Sequence, residues 1–89
     1  MPETSSSALQ FPCAFPLKIM GRAGADFVAL MLTIVERHTG EVAPTALSVR
    51  ASRGGNYVSL TVTVRAHSQA QLDDLYRELS GHDRVVMVL

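Results

Sequence analysis

Tyr57-Val58-Ser59-Leu60-Thr61-Val62-Thr63-Val64-Arg65-Ala66-His67 is the stretch that decides the fold. Val58, Leu60, Val62 and Val64 occupy every second position, and Tyr57, Ser59, Thr61, Thr63 and Arg65 the alternate ones. A period of two puts the aliphatic set on one face of a β-strand and the polar set on the other. The β-branched content suits a central strand. Immediately upstream, Arg53-Gly54-Gly55-Asn56 reads as a hairpin connection, because Gly and Asn tolerate the positive φ of such turns. Thr45 to Ser52 alternates as well, Leu47 and Val49 against Ser48 and Arg50, so the two strands form an antiparallel pair.

Outward from this hairpin the period changes to that of a helix. Downstream, Ser68 and Gln71 fit a capping box, and Leu72, Leu75, Tyr76 and Leu79 form the inward face of a helix that stops near Gly81. Asp73 and Arg77 are expected to pair across one turn of it. Upstream, Phe27, Leu30, Met31, Ile34, Val35 and His38 share one face of a helix over residues 25–38, with Asp26 in the first turn and Gly40 as the stop. Leu17-Lys18-Ile19-Met20 precedes it as a short strand, and Val85-Val86-Met87-Val88-Leu89 closes the chain as another. The order is β-α-β-β-α-β. Right-handed crossovers place both helices on one side of a shared sheet. The fold class is therefore a ferredoxin-like α/β (α+β) sandwich: four antiparallel strands in the order 4-1-3-2, helices on one face, the other face open.

The two ends carry further expectations. Residues 1–10, with Ser5, Ser6 and Ser7, read as a disordered lead-in to a single domain over residues 11–89. Phe11-Pro12-Cys13-Ala14-Phe15-Pro16 reads as an extended arm, since two prolines favour extended backbone. Val85 to Leu89 is apolar throughout although topology puts it at the sheet edge, which predicts a strand covered on both faces. The arm, folded across the open face with Phe11 and Phe15, is the expected cover, in preference to a second copy pairing edge to edge.

Composition bounds the function. At 89 residues there is room for one core. An apolar fraction of 47% with 18% charged residues excludes a wholly disordered chain. Eight Lys and Arg balance eight Asp and Glu, unlike a strongly basic nucleic-acid or membrane-surface binder. One cysteine cannot form an internal disulfide. No apolar run approaches the roughly 20 residues of a membrane span, and Met1-Pro2-Glu3-Thr4 does not open a signal peptide, so a cytoplasmic protein is expected.

Chemistry-bearing residues are few. Cys13 has no basic neighbour in sequence to lower its pKa and reads as a small apolar residue. His38, His67 and His82 sit where elements end, none with a second ligand at metal-binding spacing, so neither a metal nor another cofactor is expected. Glu36, Asp73, Asp74 and Glu78 read as solvated helix positions, which leaves no acid–base pair. RNA-recognition motifs share the topology and stack bases on spaced aromatics. Here Arg53, Gly54, Tyr57 and Val58 match that pattern, but Gly55 and Leu60 stand where aromatics belong. Between Glu41 and Asp73 the charged residues are Arg50, Arg53 and Arg65, a candidate anion or partner face on the open side of the sheet. The loop Gly21-Arg22-Ala23-Gly24-Ala25-Asp26 is a second candidate, because its glycines and the following helix start offer backbone N–H groups to an anion.

Four stretches carry a family resemblance: Phe11-Pro12 through Phe15 into Lys18-Ile19-Met20-Gly21; Ser52 through Thr63; Leu72 through Leu79 with its Leu-Tyr-Arg-Glu-Leu; and Val86-Met87-Val88-Leu89. Over residues 11–89 the chain resembles the YbeD family of small uncharacterised bacterial proteins, also known under a lipoate-regulatory label. The resemblance implies a ferredoxin-like fold similar to the ACT regulatory domains of amino-acid metabolism, and no catalytic residues. In ACT domains the loop after the first strand helps bind an amino acid, a place held here by Gly21, Arg22, Gly24 and Asp26, though without the Asp-x-Pro-Gly form of that loop. The expected function is a non-enzymatic cytoplasmic regulatory or adaptor domain that binds a small ligand or a protein partner, as a monomer or weak homodimer. RNA binding on the open sheet face is the alternative, although nucleic acid is not the expected partner, and no membrane is.

Overall fold

The computed structural model describes residues 10–89. Nine residues of the expected lead-in lie outside that range, and Gln10 is exposed. Strand β1 (Cys13–Arg22) leads to helix α1 (Phe27–Thr39). A single 3-10 turn at Pro44–Ala46 then introduces β2 (Leu47–Ala51), which the hairpin joins to β3 (Tyr57–Ala66). Helix α2 (Gln69–Ser80) and β4 (Val85–Val88) complete the chain. The sheet order is β2-β3-β1-β4, every neighbouring pair antiparallel, with both helices on one side. This is the ferredoxin-like α+β sandwich expected from the alternation of periods.

The core lies between sheet and helices. Leu17 and Ile19 of β1 and Leu60, Val62, Val64 and Ala66 of β3 meet Phe27, Met31, Ile34 and Val35 of α1 and Leu72, Leu75 and Leu79 of α2, all essentially inaccessible to solvent. β1 and β3 pair without interruption from Cys13 opposite Ala66 to Arg22 opposite Tyr57. Gly40 ends α1 at a φ of 87° and Gly55 turns the hairpin at 74°, both in the region where a side chain is strained. Ser68 caps α2 as expected, its Oγ accepting from the Gln71 N–H at 3.1 Å. The Gln71 side chain then ties the two helices, donating to the His38 carbonyl at 2.7 Å while accepting from the His67 N–H.

The expected arm is instead the first half of β1. Cys13 to Pro16 pair with Ala66 to Thr63, and Phe11, Cys13 and Phe15 pack against the helix-side core rather than across the open face. Two physical reasons decide this. The long β3 offers a full ladder as far as Ala66, and the alternation Cys13, Phe15, Leu17, Ile19 continues the inward set already written in β1. Pro16 is tolerated because the backbone of Lys18, two residues on, bonds to Leu89; the Pro16 nitrogen therefore faces the β4 side, past the end of that strand.

The last strand is consequently covered on one face only. Val85 and Val88 pack on the core, whereas Val86, Met87 and Leu89 are exposed at 55%, 47% and 63%. A bulge between Met20 and Gly21 of β1 and the facing strand puts Met87 opposite Met20 and Val85 opposite Gly21, and leaves Val86 unpaired. Nothing among the described residues lies over these side chains. Two smaller expectations also change. α1 begins at Phe27 after a turn, and Arg77 pairs with Asp74 at 2.9 Å rather than with Asp73, which accepts from Gln69.

Candidate functional site

The register assigns a face to every charged strand residue. On β1 the even positions Ala14, Pro16, Lys18, Met20 and Arg22 look away from the helices, because Leu17, Ile19 and Gly21 look toward them. Tyr57, Ser59, Thr61, Thr63 and Arg65 do the same on β3, and Ser48 and Arg50, opposite Thr61 and Ser59, on β2. The open face thus carries Lys18, Arg22, Arg50 and Arg65, with Arg53 in the adjoining hairpin, and no strand position holds a carboxylate. Among the described residues none of these five cations is in an ion pair.

The other side of the molecule is different. There Arg37 donates both guanidinium nitrogens to Glu78, at 2.8 and 3.1 Å, and His38 Nε2 lies 2.6 Å from the same carboxylate. Glu78 is therefore an interhelical hub and not the solvated helix position its sequence context suggests. The hydrogen bonds from Arg37 and His38 hold its pKa down at about 2. Arg84 grips Asp26 through two bonds, 3.0 and 3.3 Å, and the pair keeps the Asp26 carboxyl below the usual carboxylate range.

Close packing of Arg84 and Phe27 accounts for the two glycines of the loop after β1. A Cβ on Gly21 would collide with the Phe27 ring and the Arg84 carbonyl oxygen, and one on Gly24 would lie 2.5 Å from the Arg84 guanidinium. The guanidinium itself sits 6.0 Å from the centroid of Phe27. Gly21, Gly24 and Asp26 are thus drawn together around Arg84 and Phe27, whereas Arg22 is turned onto the open face opposite Tyr57.

The open face has relief. Lys18, Met20, Arg50, Tyr57 and Ser59, with the backbone at the base of the hairpin, line a cleft of about 280 Å³. A second hollow of about 250 Å³, between Pro16, Thr61 and Leu89, shares Lys18 with it. Of the face residues expected from sequence, Arg50 is in the cleft and Arg53 in the adjoining hairpin, while Arg65 stands about 20 Å farther along β3. Lys18 and Met20 join the face through the alternation of the strand already read at Leu17 to Met20, and Arg22 joins because β1 runs on to that residue. Cys13 is half-buried against the core. Among the described residues no three His, Cys, Asp or Glu side chains gather as metal ligands, and no helix is long and apolar enough to cross a membrane.

These features define the class: a ferredoxin-like α+β domain whose sheet keeps one face open, cationic and uncovered by its own described residues. The family follows from comparison with known proteins. The model of the family described as "Protein of unknown function (DUF493)" matches residues 6–89, and the chain belongs to that family. It is 47% identical over 89 residues to a UPF0250 protein of Paraburkholderia phytofirmans, covering all of both chains. To a UPF0250 protein of Nitrosomonas europaea it is 44% identical over 86 residues, 97% of this chain and 99% of the other. These relatives bear out the YbeD-like resemblance carried by the four stretches. Among solved structures, the solution structure of protein HP0495 from H. pylori superposes with a TM-score of 0.72 at 13% identity, covering 94% of this chain and 88% of that one. At that identity the likeness concerns the fold.

Proposed function

We propose that the chain is a non-enzymatic cytoplasmic regulatory or adaptor domain that works by binding an anionic partner on the open face of its sheet. One observation carries the reading. The cations without a carboxylate partner among the described residues, Lys18, Arg22, Arg50, Arg53 and Arg65, all lie on that side, while the helix side holds the ion pairs. A protein of zero formal charge that sorts its charges by face presents a local positive potential, which recruits an anionic group and orients it. Exposed Met87, with half-buried Met20 opposite it, adds polarizable, adaptable apolar surface of the kind that accepts varied partners.

A non-enzymatic role is favoured by where the reactive groups sit. Cys13 packs against the core, and Asp26, Asp74 and Glu78 are held in ion pairs by arginines. RNA is a poorer occupant of the face than a protein or small acid. Stacked bases each contribute about 1–3 kcal/mol and need aromatic platforms, and Tyr57 stands alone on the open face, with Phe11 and Phe15 packed on the core side.

The test is a pull-down from native cell extract, analysed for proteins and metabolites, with three baits: the wild type, an Arg53→Glu/Arg65→Glu variant and an Arg77→Glu variant of the helix side. The expected result is a set of anionic species retained by wild type and Arg77→Glu and lost from the open-face variant, weakening as salt rises. Species retained equally by all three baits would overturn the reading.

A further inference from the structure

We infer that the cleft between Arg50 and Lys18 binds a small organic anion, with one acidic group on a compact apolar body; this rests on the open face being the binding face. The sheet register sets the geometry. Arg50, Ser59, Met20 and Met87 form one row across β2, β3, β1 and β4, and Lys18 stands two residues along β1 from Met20. Arg50 and Lys18 are therefore two strand spacings and two residues apart, about 12 Å between Cα atoms. Both side chains are long enough to reach inward from opposite rims onto one acidic group above Ser59. Arginine offers a planar fork that matches a carboxylate or phosphate, and lysine a mobile point charge, so the pair clamps an acid without dictating which kind.

The rest of the lining is suited to the body of the ligand. Met20 and the ring of Tyr57 supply apolar surface, and the Ser59 and Tyr57 hydroxyls a few directed hydrogen bonds. A cleft of about 280 Å³ lies just below the roughly 300 Å³ at which drug-sized ligand sites begin. That size suits a compact acid better than a dinucleotide or a folded protein surface. Neither rim cation is held by a carboxylate among the described residues, so an arriving acid displaces no ion pair among them. The loop after β1 contrasts with this, since Arg84 already holds Asp26 there at 3.0 Å.

Amide resonances of the isotopically labelled chain, titrated with four probes, test the inference. Two are organic anions, 3-phenylpropionate and phenyl phosphate; inorganic phosphate is an acid without a body, and 3-phenylpropanol a body without an acid. Both organic anions are expected to shift Met20, Arg50, Tyr57 and Ser59, and each control to bind at least about tenfold more weakly. Arg50→Ala and Lys18→Ala are each expected to lose about tenfold in affinity, the loss of one charge-assisted hydrogen bond, with the rest of the spectrum unchanged. Four results would overturn the inference: no shifts at about 10 mM, where a roughly 1 mM binder saturates; shifts confined to Gly24 through Phe27; inorganic phosphate binding as well as the organic anions; or affinities unmoved by both variants. If the probes fail while the pull-down remains sensitive to Arg53→Glu/Arg65→Glu, the cleft is excluded and the face reading stands. Loss of both excludes both.

Discussion

On the helix-covered side of the sheet, Arg37 has Glu78, Arg77 has Asp74 and Arg84 has Asp26. On the open side, Lys18, Arg22, Arg50 and Arg65 have no carboxylate among the described residues. Among the described residues, one sheet thus separates a face that neutralises itself from a face that does not, within a chain whose formal charges cancel. Surface ion pairs contribute little to stability, with a median near 0–1 kcal/mol, so the contrast is not mainly about holding the fold together. What it changes is what each side can attract. The helix side holds the cohesion of the molecule, and the open side holds a field.

The largest effects should fall on the helix side. Phe27 is fully buried, fills the space above Gly21 and backs the Arg84 guanidinium. Phe27→Ala should cost about 3–5 kcal/mol in urea unfolding, a large part of the total for a domain this small. Gly21→Val should be comparably damaging, because its side chain would meet the Arg84 backbone and not only a movable ring. Arg50→Glu/Arg65→Glu on the open face should leave stability within about 1 kcal/mol while removing anion binding. If the open-face variant unfolds as readily as Phe27→Ala, the separation of cohesion from binding fails.

A finer cut uses two adjacent residues. Phe15 and Pro16 are neighbours in β1 on opposite faces. Phe15→Ala should cost about 2 kcal/mol, since its ring is partly buried against the core, and Pro16→Ala about 0.5 kcal/mol or less. Equal costs would mean that the face assignment of the N-terminal half of β1 is wrong.

That assignment also shows what the sequence could and could not say. Strand β3 was fully legible, because the alternation of Val58, Leu60, Val62 and Val64 is a local code and both its faces are written in it. The helices were legible for the same reason at a period of 3.6. The N-terminal half of β1 is not legible as strand, because two prolines in six residues outweigh a weak alternation unless the strand's partner is known; tolerance of Pro16 depends on where β4 ends. The Glu78 and Arg84 pairs were beyond reach, since Arg37 and Glu78 lie 41 positions apart and Asp26 and Arg84 58. The open-face cations were half legible. Arg50, Arg53 and Arg65 stand out in an acid-free stretch, whereas Lys18 and Arg22 join them only through the register of β1 with β3.

A smaller effect should follow pH. Glu78 has its pKa depressed to about 2 by Arg37 and His38, and Asp26 is lowered by Arg84. A carboxylate with a depressed folded pKa adds stability above its unfolded value, and that stability is lost as pH falls toward the folded one. For Glu78 the window runs from its ordinary value of 4.5 down to about 2. The denaturation midpoint of the wild type should therefore drop across that window, and Glu78→Gln should show a shallower drop over the same range. Parallel curves would mean that the helix side is not neutralised through Glu78.

The smallest effect concerns the free edge beside the open face. Val85 to Val88 carry no charge and no proline, the two usual guards of an edge strand, while Val86, Met87 and Leu89 are exposed. A second copy could pair along that edge, continuing the sheet and leaving both open faces on the same side. Two four-residue strands, however, cover far less than the roughly 1,200 Å² at which stable interfaces begin. Association should thus be weak: monomer in sedimentation at tens of micromolar, with self-association only near millimolar concentration. Val86→Lys places a charge on the unpaired bulge residue, so it should abolish that association while shifting stability by no more than about 0.5 kcal/mol. A dimer that persists at micromolar concentration in Val86→Lys would require a contact larger than this edge. The broad open face is the surface that could supply it, and the comparison between a cohesive side and a receptive side would then have to be redrawn with the second copy as its occupant.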